Sequence, residues 1–219
     1  MEIALIVAGG SGTRMQTSTP KQFLEVAGKP ILQHTISAFR KYSSDIRIIV
    51  VLPKPFIAYW EGLDINMEQV ELVAGGDTRF HSVKNGLQLV HKEDVIAIHD
   101  GVRPVISTSL IQACFTEAAT HGSAIPVLKP KDSLRKRTST GSKAVDRSEY
   151  LVIQTPQTFQ GETIIPAYNL PFQDSFTDDA SVVEHAGFPV HLIEGEYNNI
   201  KITTSEDLLL AEALLAQLS

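Results

Sequence analysis

Apolar residues along this chain come in short runs separated by amphipathic stretches. The runs IALIVA (3–8), RIIVVLP (47–53), VELVAGG (70–76), VIAIHD (95–100) and SAIPVL (123–128) are brief, apolar and bounded by turn residues, so they are predicted to be buried strands. Between them the period changes. After Asp77 the apolar residues Phe80, Val83, Leu87 and Val90 recur at helical spacing, with Asp77 placed as the helix N-cap. After Ser107 the residues Ile111, Cys114, Phe115 and Ala118 do the same before Gly122. Strand and helix in alternation predict an α/β fold, a doubly wound and mostly parallel sheet of the Rossmann-like kind, within one domain spanning 1–219. No repeat or low-complexity tract interrupts it.

One segment departs from the pattern. From 129 to 148 (KPKDSLRKRTSTGSKAVDRS) the chain is polar, basic and poor in large apolar residues, so it cannot be core. A loop of that length in a compact domain tends to be functional, and it is read as a projecting β-hairpin arm turning near Thr140-Gly141. Regular structure resumes at Tyr150 and ends in the helix SEDLLLAEALLAQL, opened by a Thr204-to-Asp207 capping pattern.

Composition narrows the function classes. A chain of 219 residues can bury a self-sufficient core. Its net charge of −6 argues against non-specific nucleic-acid binding, which depends on neutralising phosphates with Lys and Arg. The single cysteine, Cys114, excludes a disulfide framework and, without a Cys/His cluster, a thiolate zinc site. The first apolar run is too short for a membrane span and lacks the basic flank of a signal peptide, so a soluble cytoplasmic protein is expected.

Candidate chemistry gathers at the ends of the predicted strands. The first strand runs into Ala8-Gly9-Gly10-Ser11-Gly12-Thr13-Arg14-Met15, a glycine-rich turn whose exposed backbone N–H groups can cradle phosphate oxygens. It is not a P-loop, because the closing Lys-Ser/Thr is missing, and the third glycine of a dinucleotide fingerprint would fall at Met15. Arg14 and Lys21 bring two cations to the same phosphates, although a tight turn with two solvated cations would read alike. His99-Asp100-Gly101-Val102-Arg103-Pro104 follows the strand VIAI, which puts Asp100 at the carboxyl edge of the sheet. Magnesium takes only one or two protein carboxylates plus substrate phosphates, so Asp100 alone can be enough. His99 reads more simply as a packed histidine, and Arg103 as either an ion-pair partner of Asp100 or a phosphate ligand. Asp178 and Asp179, in Thr177-Asp178-Asp179-Ala180-Ser181, suit a helix N-terminus about as well as a metal. Lys201, in the strand-like run NIKIT, must be exposed or engaged with an anion. No Ser/His/Asp or Cys/His set points to covalent catalysis.

In order and spacing, AGGSGTRM, PKQF, GGDTR with Ser82, HDGVRP, VDR, QTPQ, TDDAS and NIK resemble the 2-C-methyl-D-erythritol 4-phosphate cytidylyltransferases of the non-mevalonate isoprenoid pathway. The resemblance covers nearly the whole chain. It implies that Arg14 and Lys21 stabilise the transition state at the α-phosphate of CTP. It implies that Ala8, Gly9, Gly10, Gly76, Asp77 and Ser82 hold cytosine and ribose. Asp100 would take Mg²⁺, and the acceptor, a sugar-alcohol phosphate, would lie against Asp100, Arg103, Thr155, Thr177 and Lys201. Arg147 corresponds to a residue inserted into the partner subunit's site, which implies a homodimer with exchanged arms. At Gly101-Val102 the chain departs from the two alanines frequent in the family. A ribitol-5-phosphate cytidylyltransferase and a catalytically silent nucleotide-binding module remain alternatives on the residues alone.

Overall fold

The computed structural model describes residues 1–9, 20–63 and 69–217. In chain order the elements are β1 (Glu2–Val7), β2 (Glu25–Val26), β3 (Lys29–Pro30), α1 (Ile31–Tyr42), β4 (Arg47–Leu52), α2 (Ile57–Glu61), β5 (Val70–Ala74), α3 (Arg79–Gly86), β6 (Val95–Asp100) and α4 (Thr108–His121). They continue with β7 (Ser123–Leu128), β8 (Arg135–Thr138), β9 (Gly141–Ala144), β10 (Val152–Ile153), β11 (Gln157–Gln160), α5 (Gly161–Tyr168), α6 (Asp179–His185), β12 (Leu192–Glu194) and α7 (Ser205–Ala216).

Each of the five apolar runs forms a strand, and they join one eight-stranded sheet of order β10-β7-β11-β6-β1-β4-β5, with β12 also paired to β7. β1 pairs in parallel with β6 and β4, and β4 in parallel with β5. Alternate residues of these strands enter two different cores. Ile3, Leu5, Ile49, Val51, Ile96 and Ile98 pack with α3, α5 and α6 residues such as Phe80, Ile164 and Val183. Ala4, Ile6, Ile48, Val50, Leu52 and Ala97 pack with Leu32, Phe39, Leu110 and Phe115 of α1 and α4 and with Trp60 of α2. Burial on both faces explains why the runs of β1, β4 and β6 are continuously apolar rather than alternating. This is the doubly wound arrangement.

Two features depart from the simple parallel pattern. β11 runs antiparallel between β6 and β7, carried by the QTPQTFQ segment, which has no strong strand signal in the sequence. The helix after Gly76 is capped by Thr78, whose side chain accepts from the His81 N–H, and not by Asp77 as expected. Thr78 has extended backbone, so the cap lies one residue later and Asp77 is left to face the cavity described below.

The basic segment forms a hairpin in which β8 and β9 pair only with each other among the described residues. Every residue of the two strands is exposed. The final helix opens as expected, with Thr204 and Asp207 in a reciprocal capping box.

Candidate active site

Moving outward from β1, the chain order runs one way through β4 to β5 and the other way to β6. The carboxyl ends of β1 and β6 therefore flank a topological switch point, where open α/β sheets bind ligands. Val7 at the end of β1 lies opposite Asp100 at the end of β6. A cavity of about 330 Å³ opens there, walled by Ala8 and Gly9 after β1, Gly76, Asp77 and Ser82 around the start of α3, Asp100, Lys21 and Lys201.

Close backbone approach shapes this cavity. A Cβ on Gly76 would lie 2.5 Å from the His81 Cβ, so the turn that brings Ser82 beneath it requires glycine. The Gly76 N–H donates to Ser82 Oγ at 3.2 Å. On the other side, a Cβ on Gly101 would meet the Ala8 Cβ at 2.9 Å and Leu32 Cδ1 at 3.1 Å. The ends of β1 and β6 can close together only because residue 101 has no side chain, while Val102 forms part of the cavity floor.

Lys21 is held by its neighbours. Phe23 is buried among Phe56, Tyr59 and Trp60, and Gln22 donates to the Ala8 carbonyl at 2.8 Å. With Gln22 and Phe23 buried, Lys21 lies on the cavity wall, its ammonium 3.4 Å from the Ile202 carbonyl.

Asp100 is the electrostatic centre. Its carboxylate lies 2.9 Å from Lys201 Nζ, 3.5 Å from Arg103 Nε and 3.6 Å from Arg79 Nε. Burial alone would raise its pKa, but the three cations, Arg79 foremost, outweigh it and hold the carboxyl well below the usual carboxylate range. Arg79 is itself fixed by a bidentate pair with Asp179, at 2.8 and 2.7 Å, and the Tyr168 hydroxyl donates to the same carboxylate. Asp179 is fully buried. It joins α6 to α3 across the cavity's back wall.

His99 has a structural role. Arg103's carbonyl can only accept, so Nε2 carries the proton of the 3.1 Å bond to it. Nδ1 then accepts from the Thr155 hydroxyl at 3.1 Å, and Thr155 Oγ1 in turn accepts the Asp100 N–H at 3.1 Å. The chain of bonds satisfies a neutral imidazole at both nitrogens. Burial pushes the His99 pKa down to about 4. Its folded value being depressed, the histidine favours the folded state fully above about pH 6.5, and that contribution is lost as pH falls from 6.5 toward 4. A shift from 6.5 to about 4 corresponds to about 3 kcal/mol. His99→Gln should flatten the stability-against-pH curve in that window, measured by urea unfolding. An unchanged slope there would remove His99 as its origin.

The sequence pattern of the 2-C-methyl-D-erythritol 4-phosphate cytidylyltransferase family matches residues 2–217. The chain belongs to this family. It is 50% identical over 214 residues to the 2-C-methyl-D-erythritol 4-phosphate cytidylyltransferase of Bacteroides thetaiotaomicron, covering 96% of this chain and 98% of the relative. It is 39% identical over 219 residues to that of Geobacillus kaustophilus, covering 97% and 96%. Its fold superposes on the crystal structure of the Thermus thermophilus cytidylyltransferase with a TM-score of 0.79, at 30% identity over 99% of this chain and 100% of that one. The family's reaction is the joining of CTP to methylerythritol phosphate in isoprenoid precursor biosynthesis, and that decides the acceptor question left open by the residues alone.

For a cytidylyltransferase of this family, the structure gathers many of the expected residues. Ala8, Gly9, Gly76, Asp77, Ser82, Lys21, Asp100 and Lys201 share the cavity. Gly10 and Arg14 lie outside the described residues. Arg103 and Thr155 are buried behind Asp100 and tie down the turn that carries Lys201. Arg103 Nη1 donates to the Asn199 carbonyl at 2.8 Å, and Asn199 Nδ2 to the Thr155 carbonyl at 2.8 Å. That turn is irregular rather than a strand, contrary to the reading of NIKIT, and Ile202 N–H reaches Val102 O at 2.9 Å. Thr177 is exposed and outside the cavity lining. Arg147 is exposed and holds the Lys131 carbonyl at the root of its own arm. Arg79 and Asp179 were not singled out from sequence as a pair. Each has a local explanation at a helix start, and nothing local signals a partner 100 residues away.

Proposed function

We propose that this crevice carries out the family reaction by direct displacement. A phosphate oxygen of 2-C-methyl-D-erythritol 4-phosphate attacks the α-phosphorus of CTP, the bond to the bridging oxygen breaks, and pyrophosphate leaves with 4-diphosphocytidyl-2-C-methyl-D-erythritol as the second product. The observation that carries this reading is the ionised Asp100 at the β1/β6 switch point, flanked by Lys21 and Lys201 on the wall of one cavity. A phosphate monoester with a second pKa near ~6 is largely dianionic at neutral pH and needs no general base. The side chains nearest that role support the reading. His99 is neutral with both nitrogens bonded, and burial pushes the Cys114 thiol up to about 12. What remains for the protein is to align two polyanions and offset their repulsion.

Ala8, Gly9, Gly10, Gly76, Asp77 and Ser82 hold cytosine and ribose. Arg14 and Lys21 act on charge developing at the α-phosphate. Lys201 receives the acceptor phosphate: its side chain is 42% exposed, so it can leave Asp100 for a substrate oxygen without a large desolvation cost. Arg103 and Thr155 act by holding the Lys201 turn, and Thr177 borders the acceptor from outside. The family reaction uses a divalent metal, read here as Mg²⁺. The donor set suits it, because Asp100 is an ionised carboxylate on the cavity wall whose Oδ1 is approached by Arg79 only at 3.6 Å. Asp100 would hold the ion, which when bound neutralises charge on the nucleotide phosphates.

The active form is a homodimer in which the 129–148 arm, a unit of the single 1–219 domain, reaches the neighbouring site with Arg147. In support, the hairpin's two strands pair only with each other among the described residues, and beside its root Tyr150, Leu151, Val152 and Ile153 are 41, 44, 50 and 43% exposed. No helix among the described residues is long and apolar enough to cross a membrane. The buried free thiol suits the reducing cytoplasm.

Pyrophosphate release should require CTP, a divalent metal and methylerythritol phosphate together. A silent nucleotide-binding module would bind CTP and release none. Lys21→Ala should lower kcat by roughly 100-fold with a smaller change in KM for CTP, since the lysine acts on charge that grows toward the transition state. A pure KM effect would reassign Lys21 to ground-state binding.

A further inference from the structure

We infer that Glu117, His121 and His191 form a second metal site, separate from the active centre and suited to a borderline transition-metal ion such as Zn²⁺. Their ligand atoms all lie within 4.8 Å of one another. Glu117 and His121 are one turn apart on α4, and His191 immediately precedes β12. The backbone of His191 is fixed beside β7, its N–H donating to Ser123 Oγ at 2.9 Å and its carbonyl accepting the Ile125 N–H at 2.8 Å. Because β11 is antiparallel to both β6 and β7, those two strands run the same way. His121 stands just before the start of β7 and Asp100 at the end of β6, so the two sites occupy opposite edges of the sheet.

The spacing favours an ion over a hydrogen-bonded cluster. Glu117 Oε2 is 3.3 Å from His121 Nε2 and 3.4 Å from His191 Nε2. Both separations exceed the roughly 2.8 Å of a charge-assisted hydrogen bond. They match the edge of a tetrahedron of ligands: zinc–nitrogen and zinc–oxygen bonds of about 2.0–2.2 Å put neighbouring donors about 3.4 Å apart. Two imidazoles and one carboxylate select Zn²⁺, Co²⁺ or Ni²⁺ over Mg²⁺, which prefers oxygen. The side chains are 38–45% exposed, which leaves the fourth position to water. The two rings stack at 4.0 Å and 18°, so binding requires them to turn apart until both in-plane lone pairs aim at the ion. With an ion bound, the end of α4 would be clamped to the segment that leads into β12.

The test is a Co²⁺ titration of the full chain without an affinity tag. Wild type should take up one equivalent with the intense visible absorption of tetrahedral cobalt, and Zn²⁺ should displace it. His121→Ala and His191→Ala should each abolish that band, and Glu117→Gln should weaken binding at least tenfold. Asp100→Asn should keep it. Zn²⁺ should also raise the melting temperature of wild type and of Asp100→Asn but not of the histidine variants, with circular dichroism and His191→Asn checking that the loss is not misfolding. Absence of the band in wild type, its survival in folded His191 variants, or its loss in Asp100→Asn would each overturn the assignment.

Discussion

Asp100→Asn is expected to reduce turnover with CTP by roughly 100- to 1,000-fold, the range typical for losing one preorganised electrostatic group. The change is nearly isosteric, so any loss reports charge. In the wild type one buried carboxylate balances Arg79, Arg103 and Lys201. Without it, Arg79 retains its bidentate partner Asp179, and Lys201, at 42% exposed, can turn to water. Arg103 is the residue left short, keeping among the described residues the Asn199 carbonyl on its Nη1. Stability should therefore fall by about 2 kcal/mol, below the roughly 3–5 kcal/mol of stranding a fully buried ion. The assay is pyrophosphate release across a titration of Mg²⁺, well below the melting temperature. The account expects a higher metal requirement as well as the loss in kcat. Full turnover with an unchanged metal dependence would remove Asp100 from the metal role.

Mixing Arg147→Ala with Lys21→Ala, each expected to be strongly impaired alone, is expected to restore activity. If the arm crosses between subunits, a mixed dimer contains one site with Lys21 from one chain and Arg147 from the other. Random exchange makes half of the dimers mixed, with one of two sites intact, so about a quarter of wild-type activity should return. The motive is geometric: within its own chain Arg147 is exposed, bonded to the root of its own arm and absent from the cavity lining. If Arg147 served its own site, every site in the mixture would lack one residue and no activity would return. Heterodimer formation, followed by native mass spectrometry, makes a negative result decisive against the crossed arm.

Much of the scaffold is legible in sequence because its causes are local. A strand buried on both faces must be apolar throughout, so β1, β4, β6 and most of β7 are visible as runs. The arm is visible because a segment poor in large apolar side chains has little to bury. Asp100 is legible for a related reason: a carboxylate directly after a buried strand stands at the sheet edge where ligands bind. Long-range arrangements escape this kind of reading. The placement of β11 between β6 and β7 is decided by packing, and its sequence reads as turn-rich. Asp179 looks like a helix-start acid, yet Asp178 is the cap and Asp179 is turned inward to Arg79. At the start of α3 two adjacent residues, Asp77 and Thr78, could each cap, and only backbone conformation distinguishes them. Arg103 reads from sequence as an ion-pair partner of Asp100 or a phosphate ligand, and the fold brings its Nε to 3.5 Å from Asp100.

The central claim is that this crevice moves the cytidylyl group of CTP onto methylerythritol phosphate. Following the fate of CTP labelled at the α-phosphate tests it most directly, with methylerythritol phosphate or ribitol 5-phosphate as acceptor. The account predicts that the label passes into the methylerythritol product at a rate far above that with ribitol phosphate, and that Lys21→Ala and Asp100→Asn both suppress the transfer. Label that stays in CTP, passes equally to ribitol phosphate, or moves undiminished in both variants would contradict it.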